Sequence, residues 1–348
     1  MQKLVEVRKR MDTVRNIQSI TRALATVSSA KLSRTRARAA GMRLYVQRMR
    51  DVLQRQQAEA AAKGVDLTPL SPFMQPRPAV RRVVLVHFAG DRGMCGSYNM
   101  AVNRTAWRFI TRQQEAGREV RVFVKGLRGE RYLRKKTAGC EISLLPAWRR
   151  AGVTTDDVAE IYDMVTEMFL SGEADEIHCC YTQFFSPLRR VPRVVRLLPV
   201  AAEDLPAAAT PAGSAGGAGV LDAPKTEGPS GEATPATAAS HRAEGGREPD
   251  GWHYEPSFEA IVAELISLFV CVQVEDVLLE SYASEQGARM ITMEEASERA
   301  DKTLADLGVK YNRLRREVIT IDLLGVLFAS KMRAEEEAAG TGGAARSR

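Results

Sequence analysis

Residues 300–321 read ADKTLADLGVKYNRLRREVITI, and this stretch decides the fold. Its apolar positions are separated alternately by four and three residues, which is the spacing of the buried stripe in a coiled-coil helix. The stripe consists of Ala300, Leu304, Leu307, Tyr311, Leu314, Val318 and Ile321. A helix with such a stripe needs a partner helix that carries a matching one. The sequence therefore predicts a second helix of the same kind elsewhere in the chain.

The first thirty residues carry that second stripe. It runs through Leu4, Val7, Met11 and Val14, and then, after a slip of one position at Ile17, through Ile17, Ile20, Leu24 and Val27. Such a slip changes the local winding of a coiled coil without ending it. Because the two stripes lie near opposite ends of the chain, the middle must fold as a separate body. The predicted fold class is α/β: a long antiparallel coiled coil of N- and C-terminal helices plus a central Rossmann-like α/β domain.

The middle of the chain alternates short β-branched runs with helical patterns. Such alternation is typical of a layered α/β domain with a largely parallel sheet. Strands are predicted at 82–88, 119–124, 141–145, 176–181 and 191–198, and helices at 99–115 and 155–170.

A composition change separates this region from the C-terminal helix. More than half of the residues from 201 to 250 are Ala, Gly or Pro, and a segment of that kind cannot bury enough apolar surface to become ordered. The predicted divisions are an N-terminal helix (1–60), a central domain (80–200), a disordered insert (201–250), a C-terminal helix (251–337) and a disordered tail (338–348).

The formal net charge of +7 is concentrated in the first helix. Thirteen Lys or Arg residues lie within the first fifty positions, against Glu6 and Asp12. A nucleic-acid arm, a membrane-surface helix, or a coiled-coil face that meets acidic protein partners would each explain this charge. The third explanation is favoured, because Tyr45 is the one aromatic residue there that could stack on a base. No apolar run reaches the length of a bilayer span, so we expect a cytosolic protein or one attached to a membrane by its partners.

A search for catalytic residues finds one candidate, the glycine-rich turn 90–96 (GDRGMCG) after the first predicted strand. A turn between a strand and a helix can hold phosphate. This one lacks both the Lys-Ser/Thr ending of a P-loop and the GxGxxG spacing of a dinucleotide fold. A structural turn is therefore favoured, and a nucleotide-binding α/β enzyme remains an alternative. The five Cys and four His residues show no metal-ligand spacing, so we expect neither a metal nor a cofactor.

Several motifs resemble one known family. The segment 14–27 (VRNIQSITRALATV) resembles the first helix of the gamma subunit of F-type ATP synthases, and the turn 91–96 with Asn99 resembles that family's central turn. Later landmarks that resemble its C-terminal helix, in the family's order, are 254–256, 280–290 and 311–313.

This resemblance implies a rotor shaft. In that family the paired terminal helices stand inside a ring of alternating alpha and beta subunits, and the head binds epsilon and the membrane c-ring. Ion flow drives rotation, which pushes each catalytic beta subunit through its states. The resemblance thus implies a non-catalytic, peripheral subunit on the cytoplasmic side of the inner (plasma) membrane. Such a subunit would reach the membrane through its partners and bind no nucleic acid. A basic coiled-coil nucleic-acid-binding protein stays open as a further alternative.

The family's contact positions can be carried over residue by residue. Those expected to face the ring are Arg22, Leu24, Lys31, Arg315, Arg316, Thr320 and Asp322. Those expected at the foot near the c-ring are Tyr254 and Glu255. The structural turn comprises Asp91, Arg92, Gly93, Cys95, Gly96 and Asn99. For the shaft and foot positions, the competing interpretation is an ordinary solvated or coiled-coil residue.

The chain also departs from the family pattern. Leu24 stands where the family usually has Met, and Arg316 replaces the usual Gln. Near the end, Asp322 is a shortened acid and Gly325 takes the place of a second one. These changes suggest a divergent or second-copy synthase, with a sodium-translocating form as one candidate.

Overall fold

The computed structural model of the chain describes residues 2–63, 69, 71–137, 139–149, 152–200 and 258–343. Two long helices, α1 (Gln2–Lys63) and α5 (Phe258–Gly343), flank a head formed by the middle of the chain. At about 1.5 Å per residue, α1 is about 90 Å long and α5 about 130 Å. The predicted insert over 201–250 lies outside the described residues. Helix α5 continues past its predicted end at 337.

The head contains a five-stranded sheet in the order β3-β2-β1-β4-β5. The first four strands are parallel, and β5 pairs antiparallel with β4. The strands are β1 (Arg82–Phe88), β2 (Glu119–Lys125), β3 (Glu141–Leu145), β4 (Glu176–Phe184) and β5 (Arg190–Leu198). The helices are α2 (Tyr98–Glu115), α3 (Leu127–Lys136) and α4 (Thr155–Leu170). Apolar clusters lie on both faces of the sheet: α4 and α5 cover one face, and α2 and α3 cover the other.

Helix α3 was not predicted from the sequence. Its ten residues, LRGERYLRKK, are mostly charged. Gly129 and Leu133 are its buried positions, so no long apolar stripe marks the helix.

Helices α1 and α5 pack against each other in antiparallel fashion. Arg38 pairs with Glu275, whereas Arg22, nearer the start of α1, pairs with Asp301 farther along α5. The predicted fold class, an antiparallel coiled coil of the terminal helices plus a central α/β domain, is therefore confirmed.

The contact stripe of α1 differs from the predicted one. Ile17, Ile20 and Val27 are each about half exposed, at 49%, 59% and 52%. The predicted slip at Ile17 is therefore wrong. The stripe keeps its regular spacing with mostly small or polar side chains in the middle; its members include Val7, Met11, Val14, Gln18, Thr21, Ala25, Ser28, Leu32 and Thr35. Large apolar residues did not mark the stripe here. Small side chains form it instead, because they let the two helices approach closely.

The stripe of α5 agrees with the prediction from Ala300 to Val318, where the alternating positions are buried or half-buried. Ile321 is 66% exposed, so its assignment to the stripe is wrong. The physical reason is length: in the antiparallel pair, the stripe of α1 ends near its N-terminus. The remainder of α5 projects beyond α1 as a single helix.

Candidate functional site

The head is joined to the coiled coil where α5 crosses the carboxyl ends of β1 and β4. Ser284 Oγ donates a hydrogen bond of 2.8 Å to the carbonyl oxygen of Thr182 in β4. The Tyr98 hydroxyl lies 3.2 Å from Ser281 Oγ. The Glu285 carboxyl group lies against Gly90, where an added Cβ would be 3.2 Å from it. Helix α5 is thus part of the head as well as of the coiled coil.

This crossing has a consequence for ligand binding. In doubly wound sheets, ligands bind in the crevice at the carboxyl ends of the strands, where the strand order reverses. Here that crevice lies between β1 and β4, and α5 fills it. The Glu285 carboxyl group lies beside the glycine-rich turn and occupies the space next to Gly90. The geometry disfavours the alternative of a nucleotide-binding α/β enzyme.

The predicted turn residues are brought together around Asn99. Asn99 Oδ1 accepts a hydrogen bond of 2.8 Å from the Gly90 amide, and Asn99 Nδ2 donates to Arg92 O at 3.3 Å and to Cys95 Sγ at 3.1 Å. Burial raises the pKa of the Cys95 thiol, which keeps it protonated and unreactive. The amide side chain of Asn99 therefore organises the turn from within.

The same turn is tied to its neighbours. Asp91 Oδ1 accepts a hydrogen bond of 3.2 Å from the Leu127 amide at the start of α3. Gly96 has φ +56, and a Cβ there would lie 3.0 Å from Thr292 Oγ1 on α5. Gly93 lies close to the side chain of Arg128. These contacts connect α3, the turn and α5.

Glu285 and Arg289 form a largely buried ion pair one helical turn apart on α5. Burial raises the pKa of the Glu285 carboxyl group, and the positive charges of Arg289 and of Lys31 on α1 oppose that increase. Lys31, predicted to contact the ring, is half-buried and faces this junction. Glu285 and Arg289 lie within the family landmark 280–290, but the sequence pattern assigns them no role.

The remaining predicted shaft contacts are spread along the coiled coil and do not converge on one site. Arg22 is exposed and lies 3.6 Å from Asp301, whereas Leu24 is half-buried. The four predicted contacts beyond residue 314 are all exposed: Arg315, Arg316, Thr320 and Asp322. Tyr254 and Glu255 lie outside the described residues.

The single-helix end of α5 carries an unusual surface, which we call the apolar tip (residues 319–332). Phe328 is 67% exposed and Leu327 63%. The exposed apolar side chains of the tip are Ile319, Ile321, Leu323, Leu324, Val326, Leu327, Phe328 and Met332. Exposed apolar surface of this extent marks an interaction site. The sequence signal is the run VITIDLLGVLF (318–328), whose apolar residues surround the helix instead of forming one stripe.

Across the described ranges, no group of His, Cys, Asp and Glu side chains could hold a metal ion. In the same part of the chain, no helix combines the length and the low polarity that a membrane span requires.

Comparison with known proteins identifies the family. The model of the family described as ATP synthase matches residues 3–329. The ATP synthase gamma chain of Chlorobaculum parvum is 31% identical over 326 residues, which cover 93% of this chain and 96% of the relative. The ATP synthase gamma chain of Sorangium cellulosum is also 31% identical, with 95% and 99% covered.

This chain belongs to the ATP synthase gamma family. As a member, it is the central rotor-shaft subunit of an ATP synthase. A chain from the OSCP/F1/c-ring structure of Euglena gracilis mitochondrial ATP synthase has the same fold, with a TM-score of 0.54 at 13% identity and 96% of each chain covered. A rotor chain of the same enzyme gives a TM-score of 0.51 at 14% identity, with 91% of this chain and 99% of that chain covered.

Proposed function

We propose that the paired helices of this chain stand inside a ring of alternating alpha and beta subunits and drive the catalytic beta subunits by rotation. The observation that carries this proposal is the apolar tip. A single helix with apolar residues on all sides needs a surrounding partner to remove that surface from water. A ring that encloses the tip would cover every side of it.

The outer surface of α1 supports contacts with the same ring. Ile17, Ile20 and Val27 form a half-exposed apolar band that flanks the contact stripe, together with the half-buried Leu24. Exposed basic residues such as Arg22 accompany this band. A positive surface favours acidic partners. Lever segments of the beta subunits that combine apolar and acidic side chains would be complementary to it.

At the tip, we propose that Arg315, Arg316, Thr320 and Asp322 contact the ring, together with Arg22, Leu24 and Lys31 lower on the shaft. The exposed placement of Arg22 and of the four tip residues is compatible with this role, whereas Leu24 and Lys31 are half-buried and Lys31 faces Glu285. A second role for Lys31 would be to offset the negative charge of Glu285 at the junction between the head and the coiled coil.

At the opposite end, the head would bind epsilon and the c-ring, with Tyr254 and Glu255 near the c-ring. The subunit would then be peripheral, on the cytoplasmic side of the inner (plasma) membrane, and held there by its partners. It would need no cofactor, since the nucleotide chemistry takes place in the beta subunits.

Co-expression with the alpha and beta chains of the same genome tests the proposal. We expect a stable ATPase complex that contains this chain in single copy. Exclusion of the co-expressed chain from the purified alpha–beta ring would overturn the proposal. A salt-sensitive complex with DNA in filter binding would instead favour the nucleic-acid-binding alternative.

A further inference from the structure

One guanidinium group joins both helices of the coiled coil to the head. Arg38 of α1 donates from Nε to Glu275 Oε1 of α5 at 2.8 Å, and its Nη2 donates to the same oxygen. Its Nη1 donates to the carbonyl oxygen of Val153 in the head at 2.7 Å. Arg38 and Glu275 are both partly buried, with side-chain exposures of 34% and 18%. Three separate parts of the chain therefore meet at Arg38.

The contact continues into the centre of the head. Val153 precedes Thr154, the N-cap of α4, whose backbone amide and hydroxyl donate to Asp157 Oδ2 at 2.9 and 2.7 Å. Asp157 Oδ1 accepts a hydrogen bond of 2.9 Å from Lys125 Nζ at the end of β2. Lys125 is fully buried. The resulting path of polar contacts and peptide bonds runs through Glu275, Arg38, Val153, Thr154, Asp157 and Lys125.

Helix α5 supports the same segment from the other direction. The rings of Trp148 and Tyr282 are 5.5 Å apart in an edge-to-face arrangement. Gly152 has φ +96, and a Cβ at this position would lie 3.1 Å from the Tyr282 ring. The backbone before α4 thus lies against α5 while it accepts the hydrogen bond from α1. Its position is fixed with respect to both helices.

We propose that Arg38 is a positioning residue for rotary coupling: it fixes the angle of the head on the coiled coil, so that torque from the head reaches α1 as well as α5. Helix α5 is already embedded in the head through the apolar core. Helix α1 contributes Met49 and, in part, Ala39 to the same core, and the hydrogen bonds of Arg38 add a directional attachment of α1 to the head. The planar guanidinium fork can bind a carboxylate and a carbonyl oxygen in fixed directions at once, which a Lys ammonium does with less definition.

This inference rests on the proposed rotor function, and its test uses the assembled synthase in membrane vesicles. Two quantities are compared: the rate of ATP hydrolysis, and the ATP-driven membrane potential reported by an oxonol dye, which responds whichever ion is pumped. Their ratio measures coupling. The variants are Arg38→Ala, Arg38→Lys and Glu275→Gln. The matched control is Arg34→Ala, which removes an exposed arginine of the same helix.

We expect Arg38→Ala to lower the ratio of pumping to hydrolysis by about fivefold, the order of the net contribution of one hydrogen bond. Complex yield and hydrolysis should stay within about twofold of the Arg34→Ala control, because the substitution leaves the apolar core between the helices and the head in place. Glu275→Gln should give a smaller loss in the same direction, and Arg38→Lys should restore part of the ratio.

Two results would overturn the inference. One is an Arg38→Ala ratio equal to that of the control. The other is a proportional loss of yield, hydrolysis and pumping, which would indicate that Arg38 serves folding alone. Failure of the rotor function itself would look different, because the unmodified chain would then be absent from the purified complex.

Discussion

Lys125 and Asp157 form an ion pair inside the head, with 2.9 Å between Lys125 Nζ and Asp157 Oδ1 and side-chain exposures of 0% and 4%. Lys125 Nζ also lies 4.7 Å from the centre of the Trp148 ring. Burial disfavours an ionised Asp157, yet the hydrogen bonds from Lys125 and Thr154 hold the pKa of its carboxyl group below the usual value. Asp157 is therefore ionised at neutral pH, and its charge depends on the hydrogen bonds from Lys125 and Thr154.

Replacing Lys125 by Met should leave Asp157 buried without its cation. We expect a loss of about 3–5 kcal/mol in the free energy of unfolding, measured by urea denaturation of the purified chain. The double variant Lys125→Met/Asp157→Asn should lose less than the single one, because it removes the unpaired charge. Arg121→Met, on the same strand but in exposed ion pairs, is the control and should cost at most about 1 kcal/mol. Equal losses for Lys125→Met and Arg121→Met would contradict this account.

The corrected coiled-coil stripe can be tested with two adjacent residues. Ala25 is 8% exposed within the stripe, whereas Thr26 points outward. Ala25→Glu should destabilise the chain by about 2–3 kcal/mol, because a carboxylate would be forced between the helices. Thr26→Glu should stay within about 0.5 kcal/mol of the parent. Thermal unfolding followed by circular dichroism separates the two. Similar melting temperatures would argue for the slipped stripe instead.

His87 should make stability depend on pH. Burial lowers the pKa of its imidazole to about 4, although the hydrogen bond with Asn103 opposes this shift. The unfolded chain, with a pKa near 6.5, therefore binds a proton more readily than the folded one. The stabilisation is complete above about pH 6.5 and falls by up to about 3 kcal/mol as the pH decreases to 4.

Urea denaturation between pH 7 and pH 4.5 measures this slope. The pKa of His178 is also lowered by burial, so the unmodified chain and a His87→Gln variant must be compared directly. The variant should lose less stability on acidification. Parallel curves for the two proteins would show that His87 does not contribute.

Gly126 occupies a position that excludes a side chain. Its φ is +122, and a Cβ there would lie 2.1 Å from the carbonyl oxygen of Ala89. Gly126→Ala should cost at least about 3 kcal/mol, because the chain between β2 and α3 would have to move. Gly41→Ala in α1 meets no atom within 4 Å and should be stabilising by about 0.5–1 kcal/mol. A Gly126→Ala protein as stable as Gly41→Ala would be inconsistent with the described turn.

A polar substitution in the apolar tip should weaken binding to the ring without lowering the stability of the fold. Phe328→Asp should weaken association with co-expressed alpha and beta chains by about tenfold, or about 1.4 kcal/mol, measured by titration of the ring with the purified chain. Its melting temperature should not change, since Phe328 is exposed. Leu188→Asp, at an exposed position on the β4–β5 turn of the head, is the control. Unchanged affinity of the Phe328→Asp chain for the ring would remove the main support for enclosure of the tip.

The sequence was most informative where one periodic pattern governs a long element. Alternating steps of three and four residues indicated that the ends of the chain pair, and the β-branched run at 82–88 marked β1 with its observed limits. The same rule failed at Ile17, because the stripe continues through Thr21, Ala25 and Ser28. Packing of α1 against α5 at these positions depends on small side chains at regular spacing. A search for apolar residues alone does not find them.

The head–shaft junction could not be predicted from sequence patterns. The glycine-rich turn was recognisable, but its neighbour in space, Glu285, is nearly two hundred residues away in the chain. Sequence spacing does not reveal which element fills a crevice. Glu285 is a charged residue, so an apolar pattern does not predict that it is buried. It is buried because the head packs against α5 at this position.

The antiparallel pairing of the two chain ends has a consequence for biosynthesis. Arg38 and Glu275 are 237 positions apart, so the ribosome completes α1 long before it begins α5. During that interval the head can start to form, but the inner stripe of α1 has no cover and the crevice between β1 and β4 is open. Late-formed, distant contacts of this kind slow folding and expose nascent chains to aggregation. The coiled coil therefore forms last, from the first and the last helix to be synthesised. A molecular chaperone that covers the basic helix α1 during translation would protect the chain in the interval when α1 has no partner.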